Sequence, residues 1–378
     1  MEGSAALLAL PPVTPAFVAA APVRGETSAA LVRAESLVEQ SRYEEAVETL
    51  GDVEVPAVSA PDLALRVLHC EAWARMYLGQ LDAADALCER ARALAEGAAF
   101  SNDDRAEAIF RLAACRLKRG KTANAVALFT EAIRLGGDRV RARAFEWRAR
   151  CFALIRDWDA AMTDAEHALE YAELLRDARL RALAKMQCSV IAERRGDPRL
   201  ARYYAEQARD LARECGDRQT EARLLNNLGG LSFLLGRPEV AVAEIKDSFA
   251  LFLELGCDVD AAQAVSSLAQ VHLRCGAPML AEEQARHALS ILDERDDFID
   301  ERGNAHLVLG RALLEQGRKD EAMTELAAAE WLFERLGSKS HVAAAWVAQG
   351  DAYARLGDTE AAAALYRRAA EALQDFNF

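Results

Sequence analysis

Apolar residues recur at spacings of three and four along nearly the whole chain, as in Leu224, Leu225, Leu228, Leu231, Phe233, Leu234 and Leu235. That spacing lines them along one face of an α-helix, whereas a half-buried strand would alternate apolar with polar residues, and no segment does so. The pattern predicts helices of about 16 residues, each on the order of 24 Å long. Short polar turns separate them, such as Leu255-Gly256-Cys257-Asp258 and Leu336-Gly337-Ser338-Lys339.

A second pattern overlies the first. Pro198, Pro238 and Pro278 each close a Gly-x-Pro triplet, forty residues apart. The glycine of the triplet has counterparts at Gly79, Gly120, Gly317 and Gly357, with Arg156 in the same place in one unit and Ser41 marking a degenerate first unit. Five residues after these markers stand Ala84, Ala125, Ala161, Ala201, Ala241, Ala281, Ala322 and Ala362. Twelve residues after them, and seven before, the residue is always Ala, Ser or Gly, as at Ala91, Ser248, Ala113 and Gly310. Antiparallel helices approach closely only where the crossing side chains are small, so the recurrence describes one helical hairpin stacked on copies of itself. Glycine ends the first helix of the unit at little conformational cost, and proline two residues later opens the second. The expected fold is all-α: an α-solenoid of about nine helix-turn-helix hairpins over residues 26–378, preceded by an Ala/Pro-rich N-terminal arm at 1–25.

The combination of turn glycine and three small positions resembles the tetratricopeptide repeat, over nearly the whole of 26–378. The unit here is near forty residues, longer than the usual unit of that family, and the family's aromatic positions are only partly kept, as at Tyr353 and Tyr366. Long units of this kind are similar to the sensor arrays of bacterial transcriptional and quorum-sensing regulators. The closing segment from Leu365 to Phe376 resembles the tail of actinobacterial regulators with such arrays. Those relatives often carry an N-terminal helix-turn-helix, for which residues 1–25 are too few. The resemblance implies a regulatory sensor array without that DNA-binding domain.

Charge and composition narrow the function. The formal net charge of −14 opposes direct binding to nucleic acid or to an anionic membrane. No apolar run is long enough to span a bilayer, and Ala5–Ala21 is broken by Pro11, Pro12 and Pro15, so neither an anchor nor a secretory leader is expected. Eight cysteines without a Cys-x-x-Cys pair read as reduced thiols in a cytoplasmic protein. Gly120-Lys121-Thr122 imitates the end of a phosphate-binding loop, but Cys115 stands where that motif needs its first glycine, so it reads as a hairpin turn. The six histidines show no metal-ligand spacing within a helix, although His287 and His306 invite a check across helices. The acidic run Asp293–Arg302 reads as a solvated connector entering a helix. No nucleophile, base and stabiliser assemble in the sequence, so no enzyme, cofactor or metal is expected.

The inner surface is the remaining candidate. Family phase places the first helix of each hairpin on the concave side, and selects Arg111, Lys118, Arg143, Trp147, Arg150, Gln187, Arg194, Arg223, Asn226 and Asn227, with Glu107, Glu146 and Glu193 among them. Six basic residues against three acidic ones invert the sign of the whole chain, which suits an acidic peptide or a free carboxylate terminus. Asn226 and Asn227 offer donor and acceptor to a peptide backbone, or equally to a neighbouring helix. Trp147 is either an anchor or inter-helix core. The expected function is a non-enzymatic scaffold that binds a peptide or protein segment in regulation. The alternatives are a transcription-pathway regulator acting without its own DNA-binding module, and a homo-oligomer assembled through the N-terminal arm.

Overall fold

The structure, a computed structural model, describes residues 26–40, 42–51, 60–292 and 298–374. Every regular element among them is a helix, eighteen in all, and in chain order they form nine antiparallel pairs. The first five pairs are α1 (Glu26–Glu39) with α2 (Tyr43–Leu50), α3 (Pro61–Tyr77) with α4 (Leu81–Ala95), α5 (Asn102–Lys118) with α6 (Thr122–Leu135), α7 (Asp138–Leu154) with α8 (Trp158–Leu174), and α9 (Ala178–Arg194) with α10 (Pro198–Glu214). The last four are α11 (Arg218–Leu234) with α12 (Pro238–Glu254), α13 (Asp258–Arg274) with α14 (Pro278–Leu292), α15 (Ile299–Glu315) with α16 (Lys319–Leu336), and α17 (Lys339–Leu356) with α18 (Thr359–Gln374). The all-α solenoid of hairpins is as the small-residue cadence implies. The N-terminal arm, Ser41 and the acidic stretch 293–297 lie outside the described residues.

The middle of the array keeps strict time. Helices α7 to α13 have 17 residues each, and three residues separate each from the next. One turn shows how three residues suffice. Gly196 adopts φ +84°, in the left-handed region, so that its N–H and that of Asp197 turn back to the carbonyls of Glu193 and Ala192, both at 2.9 Å. Those two bonds close the α9 end as a Schellman motif. The Asp197 side chain then accepts from Leu200 N–H at 3.0 Å, capping α10, and Pro198 fills the first helical position.

The same left-handed residue occurs between hairpins as well as within them, at Gly216, Gly256 and Gly337. The repeat is therefore made of twenty-residue half-units through this stretch, a regularity finer than the forty-residue one read from proline. Two half-units lack glycine: Arg156 and Arg176 take φ +61° and +52° instead. A side chain with a Cβ strains there by about 1 kcal/mol or more. Replacing Arg156 with Gly should therefore stabilise the chain by about 1 kcal/mol, read as a rise in the denaturation midpoint. A fall would show that the Arg156 side chain contributes more than its backbone costs.

The small positions lie where helices cross. Ala84, Ala125, Ala161, Ala201, Ala241, Ala281 and Ala322 have no exposed surface. At the position seven before the marker, a Cβ on Gly310 would sit 2.7 Å from Leu326, one on Gly350 would sit 2.6 Å from the Tyr366 ring, and one on Gly229 would lie on Ile245. Each partner stands nine residues after its marker, so the second helix presses a bulky side chain against the smallest point of the first. Filling such a site costs about 1–3 kcal/mol.

The chain forms two compact units, Met1–Glu221 and Ala222–Phe378, with the boundary inside α11. In the first unit α1, α3, α5, α7 and α9 pack backbone to backbone in succession, while among the described residues no two even-numbered helices do so; α4 and α6 meet through the long side chains of Arg92 and Glu131, 3.7 Å apart. The odd-numbered helices are thus the inner layer, each flanked by its own kind. This agrees with their burial: α3, α5, α7 and α9 each bury about twice as many residues as the even-numbered helices beside them.

Candidate functional site

The inner layer of the first unit carries an unusual interior. Trp73 of α3, Phe110 of α5 and Trp147 of α7 stack across three consecutive inner helices, with ring centroids 5.9 Å apart for Trp73–Trp147 and 5.9 Å for Phe110–Trp147. Phe129 of α6 closes the cluster 5.7 Å from Phe110. Three guanidinium groups lie over these rings: Arg111 5.1 Å from Trp73, Arg143 4.2 Å from Phe110, and Arg150 4.7 Å from Trp147. Such stacking attracts through the ring quadrupole and gains strength where water is excluded. Water is excluded here. Arg150 and Trp147 are fully buried, and Arg111 and Arg143 keep only 4% and 5% of their surface.

Buried cations need carboxylates. Glu107 accepts from Arg111 Nε on one oxygen at 2.7 Å and from Arg143 Nη1 on the other at 2.7 Å. Glu146 accepts from Arg150 Nε at 2.7 Å, one helical turn away on α7. Burial alone would raise the Glu107 carboxyl, but the charges of Arg143 and Arg111 outweigh it and hold its pKa at about 2. At Glu146 burial prevails over Arg150 and the carboxyl is raised. Burial, together with the charge of Arg111, lowers the Arg143 guanidinium below its usual range against the pull of Glu107. His69 of α3 is lowered to about 3 by burial and by Arg111, so it is neutral at physiological pH, and its backbone carbonyl accepts from Arg111 Nη1 at 3.3 Å.

Several donors in this layer find no acceptor among the described residues: Nε and Nη2 of Arg143, Nη1 of Arg150, the indole N–H groups of Trp73 and Trp147, and the Gln187 amide nitrogen. Each belongs to a side chain less than 5% exposed or barely more. Burying unsatisfied donors is costly, and so many in one layer call for an explanation.

The residues selected from sequence thus divide. Arg111, Arg143, Trp147, Arg150 and Gln187 come together in the inner layer of the first unit, buried rather than displayed on an open groove. Trp147 is inter-helix core. Lys118 and Arg194 stay half-buried near the C-terminal ends of α5 and α9, with Lys118 Nζ 5.3 Å from the Tyr77 ring. Arg223, Asn226 and Asn227 belong to the second unit, where Arg223 pairs with Asp260 of α13 at 3.1 Å and Asn226 Oδ1, buried, has no partner among the described residues. The sequence reading omitted His69 and Trp73, which lie one unit before its first selected residue. The available signal was Glu-x-x-x-Arg on the inner face, at Glu107–Arg111 and Glu146–Arg150.

Elsewhere the motifs are structural. Gly120 is a left-handed turn residue between α5 and α6. His306 Nδ1 meets Glu325 at 2.6 Å, and His287 packs edge-on against Phe249. No group able to hold a metal ion occurs among the described residues. All eight cysteines are free thiols, five of them buried. No described helix is long and apolar enough to cross a membrane.

Comparison with known families decides what kind of array this is. Two tetratricopeptide-repeat models match, one at residues 116–173 and 283–335 and the other at 343–372. The chain carries tetratricopeptide repeats. Among solved structures this tetratricopeptide array is similar to the apo form of the quorum sensor NprR from B. thuringiensis, at 13% identity, TM-score 0.62, and coverage of 92% of this chain and 97% of that one. It is similar to a Rap protein complexed with competence and sporulation factor, at 19% identity, TM-score 0.58, and coverage of 93% and 98%. It is also similar to the Rap conjugation gene regulator of plasmid pLS20 in complex with the Phr* peptide, at 14% identity, TM-score 0.58, and coverage of 93% and 95%. At these identities the likeness is one of fold. No curated protein matches the chain.

Proposed function

We propose that this protein is a regulatory scaffold that binds a peptide or protein segment along its inner helices, without catalysing a reaction. The observation that carries the reading is the placement of Lys118 and Arg194, both half-buried, at the C-terminal ends of the inner helices α5 and α9 in a chain whose formal charge is −14. Cations that reach solvent in an acidic protein draw an acidic partner to them, while the rest of the surface repels it. The structural neighbours support the regulatory part, since one is named a quorum sensor and another a conjugation gene regulator holding a peptide. A cytoplasmic location belongs to the same reading.

The test uses the two half-buried cations, Lys118 and Arg194. A fluorescein-labelled library of acidic octapeptides should bind the wild-type chain with an anisotropy rise that weakens with salt. Lys118→Glu combined with Arg194→Glu should reduce affinity at least tenfold, with the helical circular dichroism unchanged. Equal affinity in the double variant moves the peptide site off these helices, and no binding by any library member removes the reading.

A further inference from the structure

The unpartnered donors follow a geometry used elsewhere in this chain. In Arg66, Nε and Nη2 grip the two oxygens of Glu35 at 3.0 and 2.7 Å. In Arg148 the same edge grips Asp164 at 2.7 and 2.8 Å. This side-on fork, two parallel N–H groups on one edge of the guanidinium, matches a carboxylate. In Arg143 that edge faces no acceptor among the described residues, while Nη1 is held by Glu107. The guanidinium is thereby fixed, by Glu107 from one side and by the Phe110 ring beneath it, with its carboxylate-binding edge unused.

We propose that the inner layer of the first unit binds a small organic carboxylate, seated on the Nε/Nη2 edge of Arg143. The other unsatisfied groups fix the ligand's character. Arg150 Nη1, the Trp73 and Trp147 indoles and the Gln187 amide nitrogen are donors, and the unpartnered Nε2 of the neutral His69 is a donor in the tautomer that carries its proton there, so a ligand supplying acceptors suits the set. Their near-complete burial favours an enclosed molecule over the end of a chain that must lead back to solvent. The aromatic rings beneath the guanidinium groups suit an apolar body behind the carboxylate. Water alone would satisfy single donors but would not supply the charge that a forked guanidinium edge accepts. The site goes beyond the peptide reading and stands or falls separately from it.

Benzoate is the probe, with benzamide as the neutral control of the same shape and chloride as the control for ionic strength. In the full-length protein, benzoate should raise the melting temperature saturably and change the tryptophan fluorescence, through Trp73 and Trp147, where benzamide and chloride do neither. Arg143→Lys keeps the positive charge but loses the fork, and should weaken benzoate binding at least tenfold in calorimetry. The Lys118→Glu/Arg194→Glu protein should bind benzoate as the wild type does, so loss of peptide binding there leaves this site intact. Benzoate without effect on the wild type overturns the proposal without needing any variant. Undiminished binding by a folded Arg143→Lys protein also overturns it. Library octapeptides that bind as free acids but not as amides, with benzoate inert, would assign the fork to a peptide terminus and overturn the small-molecule site.

Discussion

Glu107→Gln is expected to lower the unfolding free energy by about 3–5 kcal/mol at neutral pH. The substitution keeps the shape and removes the charge that two buried guanidinium groups share, Arg111 through one oxygen and Arg143 through the other. One amide oxygen cannot replace both, and the amide nitrogen turns a donor toward a cation. The pH dependence gives an independent check. The folded carboxyl, with a pKa of about 2, lies below its ordinary value of 4.5, so its contribution is complete above about pH 4.5 and is lost as pH falls toward 2. A gap of that size corresponds to about 3 kcal/mol. Urea denaturation at pH 7 and at pH 3 should therefore show wild type and variant far apart at the first and closer at the second. A constant difference would mean that the lost interaction is not ionic. His69 pulls in the same direction over another window: the unfolded chain takes up a proton near pH 6.5 that the folded one resists until about 3, so both proteins weaken as pH falls through that range.

Trp147→Ala should cost about 3–5 kcal/mol. The side chain is fully buried against Trp73, Phe110 and Phe129, and its loss opens a cavity lined by rings that cannot collapse without dragging three inner helices together. It also uncovers the face on which Arg150 lies. Trp147→Phe should cost much less, about 1 kcal/mol, because the indole N–H it removes makes no hydrogen bond among the described residues. Chemical denaturation of the two variants checks the contrast. Similar losses for both would show that the indole N–H has a partner worth keeping.

The hairpins were legible because one physical requirement, close approach, leaves a periodic trace of small residues. Ala125, Ala201 and Gly310 sit at crossings where that trace puts them. The turns at Arg156 and Arg176 left a weaker trace, since the left-handed conformation is there held by the helices on either side rather than by glycine. The depth of the candidate site was not legible. Helical phase puts Arg143, Trp147 and Arg150 on one face of α7, yet their burial depends on how closely α3, α5 and α7 are drawn together, which no local pattern encodes. Trp73 meets Trp147 across an intervening hairpin. Counting charges along the phase also overlooked that Glu107 and Glu146 are already engaged by the arginines.

The equal helices from α7 to α13 have a consequence for how such a chain can change. A single added or lost residue inside one of them would swing every later side chain by about 100° about the axis. Gain or loss of a whole forty-residue block would instead join equivalent turns and ask for no new packing solution. Length is thus free to vary by duplication while register is not, so divergence in this stretch is channelled into which side chains face inward.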